Sequence, residues 1–162
     1  LNDFLRPHGM FFPPHLSPSN RATVGGMVAT DACGKGSRVY GKTSDYIVNL
    51  EIALANGKSF QTRELKVEDD FLSLQEILES AQQERPNLPK LPRGISGYQL
   101  LESLSSDRKI NLNKLISGSE GTLALIKNIT FRVAPIPKYK SLFVVSYPTV
   151  DAALDAVPDI LR

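Results

Sequence analysis

Two stretches of this chain, Val24-Gly-Gly-Met-Val-Ala-Thr-Asp-Ala-Cys-Gly34 and Gly118-Ser-Glu-Gly-Thr-Leu123, carry the residue types that let a backbone come close to a ligand. Neither contains an obvious nucleophile, general base or metal cluster. Glycine has no Cβ, so its N–H groups stay accessible, and a run of them in a turn makes a concave site suited to a pyrophosphate. Chemistry at such a site belongs to a bound cofactor that the polypeptide holds. The residues therefore point toward a dinucleotide and away from a catalytic triad. A tight connection with no ligand is the other reading. The spacing matches neither the nicotinamide-binding fingerprint nor the phosphate-loop lysine motif, so spacing alone leaves both readings open.

The remaining candidates carry less. His8, His15 and Cys33 lack the spacing of a structural metal site, and no metal is expected. Glu120, in the turn between Gly118 and Gly121, is expected to fix that turn by bonding backbone amides rather than to act as a base. Tyr40 and Tyr98 are expected to pack. Lys35 and Arg38 read as solvated charges, with pairing to a pyrophosphate left open.

The elements that must position these residues follow from periodicity. Leu1 to Arg6 reads as the tail of a helix stopped near Pro7 and Gly9, and Phe11-Phe-Pro-Pro14 as an extended apolar approach. Gly25 to Gly41 is too rich in small residues for a strand and is expected to mix short helical turns with loop. Val48, Leu50, Ile52 and Leu54 alternate with Asn49, Glu51, Ala53 and Ala55, the pattern of a half-buried strand. Asn56-Gly57 predicts a two-residue hairpin turn and Lys58 to Leu65 the antiparallel return. Asp69 and Asp70 start a helix with Phe71, Leu74, Leu78 and Ala81 on one stripe. Pro86, Pro89 and Pro92 stiffen a surface linker. Ile95 to Leu104 has helical spacing, and Asn111 to Ile116 reads as a second short helix ended by Gly118. Thr122 to Val133 is expected as a strand with Leu123, Leu125, Ile129, Phe131 and Val133 on one face. Leu142 to Tyr147 reads as a further strand, followed by a helix capped by Thr149.

A chain of 162 residues with 41% apolar and 22% charged residues can bury one real core. A net charge of +2 gives no electrostatic footprint for nucleic acid. No apolar run approaches the ~20 residues that span a bilayer, and no signal-peptide pattern opens the chain. The single Cys33 suits a reducing compartment. The expected location is cytoplasmic, with peripheral attachment to the inner face of the membrane left open. The start at Leu1 and the uncapped helical pattern closing on Arg162 are what a piece of a longer polypeptide would present.

Six blocks occur in order: Phe11-Phe-Pro-Pro14, Thr23-Val-Gly-Gly-Met-Val-Ala-Thr30, Tyr40-Gly-Lys-Thr-Ser-Asp45, the strand from Ile47 to Gly57, Ser96-Gly-Tyr98 and Gly118-Ser-Glu-Gly-Thr-Leu123. In this the chain closely resembles the FAD-linked oxidases of the vanillyl-alcohol oxidase and p-cresol methylhydroxylase type, within them the D-lactate, glycolate and D-2-hydroxyglutarate dehydrogenase branch. The resemblance implies an α+β fold, the second subdomain of the p-cresol methylhydroxylase type FAD-binding fold, with a largely antiparallel sheet flanked by helices. Residues 1–137 would form that subdomain, with the first subdomain upstream. Residues 138–162 would begin the substrate-covering domain. The resemblance also implies that catalytic residues come mainly from that later domain, so none is assigned here.

Carried over by position, the resemblance places Pro13 and Pro14 beside the flavin and Thr23, Gly25 and Gly26 against it or its pyrophosphate. Met27, Ala29 and Thr30 would continue that wall. Glu120 and Gly121 would form the turn beside the cofactor, and Leu125 and Ile126 would lend backbone groups near the adenine side. The chain departs from the family pattern at Met27 and Asp31, where relatives more often have Asn, and at Cys33, where they have Gly. At His15 relatives often have Asp; a histidine there could stabilise a reduced, anionic ring, or be a surface turn residue. Cys33 as a covalent flavin anchor is not expected.

The function implied is oxidation of a D-2-hydroxy acid, of the D-lactate or D-2-hydroxyglutarate class, to the 2-oxo acid by hydride transfer to FAD. The implied partners are that substrate and a separate electron acceptor. An iron–sulfur cluster, if the whole protein has one, would lie outside this segment, and the isolated segment would hold FAD weakly or not at all. The alternatives are a non-catalytic binding or scaffold module that kept the fold, and an enzyme of the same fold acting on a phenol, an alcohol or a sugar nucleotide.

Overall fold

The computed structural model describes residues 1–64, 69–84 and 97–161. In chain order the elements are α1 (Asn2–Leu5), β1 (Met10–Phe11), α2 (Val24–Ala29), α3 (Ser37–Tyr40), β2 (Ile47–Ala53), β3 (Ser59–Gln61), α4 (Asp69–Gln83), α5 (Leu112–Ile116), β4 (Leu125–Phe131), β5 (Ala134–Pro135) and α6 (Val150–Ile160). The architecture is α+β, as the resemblance implies. β2 is the central strand of a three-stranded antiparallel sheet in the order β3-β2-β4. β1 and β5 pair antiparallel in a second, two-stranded sheet.

The core forms where α2 and α5 meet β2 and the run into β4. Val28, Leu50, Ile52, Ile116 and Ala124 are buried together, with Ile126, Ile129 and Phe131 packed against them. Leu50 and Ile52 are fully buried, and each contributes on the order of 1.5–3 kcal/mol by leaving water. Phe12 extends this core toward β1; its ring stacks 4.4 Å from Phe131 and 5.8 Å from Tyr46 between centroids. Asn2 ties down the entry to this segment, accepting from the Phe12 amide at 2.7 Å and donating to its carbonyl at 3.2 Å.

The expected strands form, but two bulges change which residues face the core. Opposite Glu51 and Ile52 of β2 stand Asn128 and Ile126, so Lys127 is an extra residue. Inward-facing positions on β4 therefore run Ile126, Ile129, Phe131, and Leu125 turns outward, 71% exposed. That corrects the expected face, which places Leu125 inside with Ile129. A second irregularity between Ile47 and Asn49 leaves Val48 out of the register and exposed, although alternation alone would bury it with Leu50. An extra residue flips side-chain parity along the rest of a strand.

The hairpin between β2 and β3 also differs from expectation. Asn56 is not in the left-handed region; only Gly57 is, at φ +82°. The Gly57 amide donates to the Leu54 carbonyl and the Leu54 amide to the Lys58 carbonyl, both at 2.9 Å. The loop is thus three residues, a turn followed by a left-handed glycine, which suits the strand twist as well as a two-residue loop does. The return strand ends at Gln61 rather than near Leu65, and Thr62–Glu64 forms a 3-10 turn.

α5 is capped by Asn111, whose side chain accepts from the Lys114 amide. Thr149 caps α6 in the same way, accepting from the Ala152 amide at 3.1 Å. α4 begins at Asp69 as expected and buries Leu78, with Leu74 and Ala81 half-buried. Two expectations are corrected. Residues 97–104 are turns leading to a bridge between Leu104 and Ile110, not a helix. Ser103 is held there by donating to the Gln99 carbonyl at 2.6 Å. Residues 142–147 form no strand and have no strand partner among the described residues, and Leu142, Phe143 and Val144 are almost fully exposed. Apolar alternation marks a strand only where a neighbour supplies the ladder. The linker with Pro86, Pro89 and Pro92, as well as Ile95 and Ser96, lies outside the described residues. No helix among the described residues is long and apolar enough to cross a membrane.

Candidate functional site: a glycine helix docked on a left-handed turn

The two small-residue stretches, far apart in the chain, meet in space. α2 is short and contains Gly25 and Gly26, each costing about 1 kcal/mol relative to alanine in a helix. It therefore needs support from outside itself. At its start Thr23, in extended conformation, accepts from the Gly26 amide through Oγ1 at 3.1 Å. At its end Thr30 donates through Oγ1 to the Gly26 carbonyl at 2.9 Å. The carbonyls that leave α2 are then taken by the distant turn: Val28 accepts from the Gly118 amide at 3.0 Å and Ala29 from the Glu120 amide at 2.8 Å.

That docking requires an unusual backbone. Gly118, Glu120 and Gly121 all have positive φ, at +81°, +53° and +79°. Glycine adopts this freely and glutamate does not. Glu120 was expected to brace the turn with its carboxylate. In the structure the side chain is exposed and its backbone amide makes the bond. Thr122 closes the turn by donating to the Ser119 carbonyl at 2.5 Å. Tyr98 does not pack as expected; its hydroxyl meets Thr122 Oγ1 at 2.8 Å.

The other expected site residues lie as follows. Met27 is buried and Ala29 half-buried on α2. Pro13 and Pro14 are buried, while His15 is exposed and bridges antiparallel to Lys35. A Cβ on Gly34 would lie 2.1 Å from the His15 carbonyl oxygen, so only glycine permits this crossing. Leu125 is exposed at the start of β4, and the Ile126 side chain is in the core. Tyr40 packs edge-on against Phe11, with ring centroids 5.6 Å apart.

A flat, anionic dinucleotide fits what this surface leaves open. A Cβ built on Gly25 or on Gly121 would meet nothing within 4 Å. Among the described residues, no acceptor takes the Val24 and Gly25 amides at the first turn of α2. Such amides are the donors a phosphate or a flavin edge uses. Gly26 is different: its Cβ would lie 3.0 Å from Thr23 Oγ1, inside the cap.

Behind this surface is a buried polar network that the residue pattern did not reveal. Asp31, 0% exposed and at φ +42°, follows directly on α2. Its carboxylate accepts from the Ser44 amide at 2.8 Å and the Ser44 hydroxyl at 3.1 Å, pairs with Lys42 at 3.1 Å, and accepts from the Gln99 amide group. Lys42 also meets Gln99 at 2.6 Å and Glu102 at 3.3 Å. Burial works to lower the Lys42 pKa, but Asp31 and then Glu102 outweigh it and hold the ammonium above its ordinary 10.5. Beside it, Lys114 pairs with Asp45 at 2.6 Å. Burial would raise the Asp45 pKa; the hydrogen bonds from Lys114 and the Lys42 amide bring it below 3.8 instead. The available signal was an aspartate inside a run of small residues, and nothing local names its partners.

Comparison with known proteins places the chain among relatives. Residues 1–63 match the FAD binding domain family. The chain is 39% identical over 180 residues to D-2-hydroxyglutarate dehydrogenase of Haemophilus influenzae, covering 100% of this chain and 18% of that protein. It is 38% identical over 173 residues to D-2-hydroxyglutarate dehydrogenase of Escherichia coli, covering 98% of this chain and 17% of that one. With D-lactate dehydrogenase of Archaeoglobus fulgidus the identity is 30% over 162 residues, covering 100% of this chain and 28% of the other. The chain thus spans less than a third of the length of these curated relatives. It belongs to the FAD-linked oxidase family, in the branch of the D-lactate and D-2-hydroxyglutarate dehydrogenases.

Proposed function

We propose that the protein containing this chain is an FAD-dependent dehydrogenase that oxidises a D-2-hydroxy acid, of the D-2-hydroxyglutarate or D-lactate class, to the 2-oxo acid. The observation that carries this reading is the docking of the Gly118–Gly121 turn on α2, which leaves the Gly25 face and its amides open. The names of the relatives support the substrate class. When bound, FAD supplies a two-electron acceptor for the hydride from the α-carbon, and electrons pass on to a separate acceptor.

This chain's share is holding and orienting. Thr23, Gly25 and Gly26 would present α2 to the pyrophosphate or the ring, Met27, Ala29 and Thr30 would continue that wall, and Pro13, Pro14 and His15 would stand at its edge. Glu120 and Gly121 would close the turn alongside, with Leu125 and Ile126 toward the adenine. Residues 1–137 are the second FAD-binding subdomain in this reading, and residues 138–162 begin the substrate-covering domain. The base and the group that binds the substrate carboxylate would come from elsewhere in the protein, as would any iron–sulfur ligands, since this chain has only Cys33. With half of the clamp, the isolated chain would hold FAD weakly.

The test is the visible spectrum of the intact protein, followed anaerobically as D-2-hydroxyglutarate, D-lactate and glycolate are added in turn. A flavin band bleached by one of them is the expected result. A flavin band that none of them bleaches overturns the substrate class, and a colourless, folded protein overturns the cofactor.

A further inference from the structure

Behind α2 lies a buried carboxylate, Asp31, that the flavin reading does not use. α2 is six residues long and has two glycines, so its orientation is set by what holds its ends. Among the described residues its start is held by the Thr23 cap, a local contact. Its exit is different. Asp31 turns left-handed there and aims its carboxylate inward, where it meets donors from two other segments. Ser44, through its amide and hydroxyl, and Lys42 belong to the 3-10 turn that feeds β2. Gln99 reaches both the Asp31 carboxylate and, at 3.5 Å, the carbonyl of Ser117, the residue before the left-handed turn. A Cβ on Gly118 would lie 3.5 Å from the Asp31 Cβ, so the turn rests directly against this side chain. All buried side-chain polar atoms among the described residues find partners, so the network is fully satisfied.

We propose that Asp31, through Lys42, Ser44 and Gln99, is the positioning residue of the cofactor surface: it locks the exit of α2 and the Gly118–Gly121 turn in one relative placement. The inference rests on the flavin reading above and extends it to residues that do not touch the ligand. Asp31 would act only through α2 and the turn, because its carboxylate is fully enclosed and every oxygen is engaged from the inside. A buried carboxylate needs its cation and its donors in place together, and a misplaced turn would break the Gln99 arm.

The experiment measures FAD affinity, the visible circular dichroism of the bound flavin and the melting temperature of the flavin-free form, all on the intact protein. Asp31→Ala removes the carboxylate on which Lys42, Ser44 and Gln99 converge. Gln99→Leu removes the arm that bonds Asp31, Lys42 and the Ser117 carbonyl and keeps Asp31 with Lys42 and Ser44. Asp31→Asn retains an oxygen for the Ser44 amide and serves as the conservative rescue. The expected result is that Asp31→Ala and Gln99→Leu weaken FAD binding by about tenfold or more and alter the flavin dichroism, with Asp31→Asn recovering most of both. If Asp31→Ala does not fold, Gln99→Leu alone carries the comparison. Binding and dichroism unchanged in a folded Gln99→Leu protein overturn the inference, whatever happens to the melting temperature. A colourless wild-type protein overturns the flavin reading first and this inference with it.

Discussion

At the scale of single residues, glycine positions separate two roles that composition alone merges. Gly34, Gly118 and Gly121 are needed by the backbone: the first by its contact with the His15 carbonyl, the others by positive φ. Gly25 is needed by neither. Its φ is ordinary and its Cβ would enter open space, so its absence of a side chain is a cost unless something approaches it. Gly25→Ala should therefore stabilise the flavin-free protein by about 0.5–1 kcal/mol, read as a higher melting temperature, while reducing flavin retention. A variant that is more stable and equally yellow would remove Gly25 from the cofactor surface. Gly26→Val is the poorer probe, because it strikes the Thr23 cap as well.

At the scale of elements, the instructive case is β4. Alternation from Leu123 predicts Leu125 on the buried face, and the observed strand places Ile126 there instead. The cause is the extra residue at Lys127, whose ammonium reaches across to Glu51 at 2.6 Å on the exposed side. The break in the apolar pattern at Lys127 was visible in the residues; that it marks a bulge depends on what stands opposite in β2. Ile126→Ala is expected to cost about 2 kcal/mol or more, and Leu125→Ala no more than about 0.5 kcal/mol, measured from denaturant midpoints of the flavin-free protein. Equal effects would contradict the register.

At the scale of the whole molecule, charge ties together segments that share no strand or helix. Lys114 on α5 reaches Asp45 and Glu102, and Lys42 reaches Asp31 and Glu102. Asp45 has a lowered pKa in the folded state, so its contribution is complete above 3.8 and is lost as pH falls through the lower folded value. Lys42 has a raised one, so its contribution is complete below 10.5 and is lost as pH rises through the higher folded value. The melting temperature should be level between about pH 5 and 10 and fall on both sides. Lys114→Met should lower it at neutral pH and flatten the acid limb, and an unchanged acid limb would remove Asp45 from the account.

The residues by themselves determined the central strand around Leu50 and Ile52, the short helix from Asn111, the Thr149 cap, and the two glycine stretches as the candidate ligand surface. These depend on periods of two to four residues and on backbone freedom, which are properties of neighbouring positions. Only the tertiary structure decided that Glu120 works through its amide, that Leu125 faces out, that residues 142–147 lack a strand partner among the described residues, and that Asp31 anchors a buried network. Each of these is settled by a segment distant in the chain. The energy of a buried charge or of a strand pair belongs to both partners, and one stretch of residues carries only half of it.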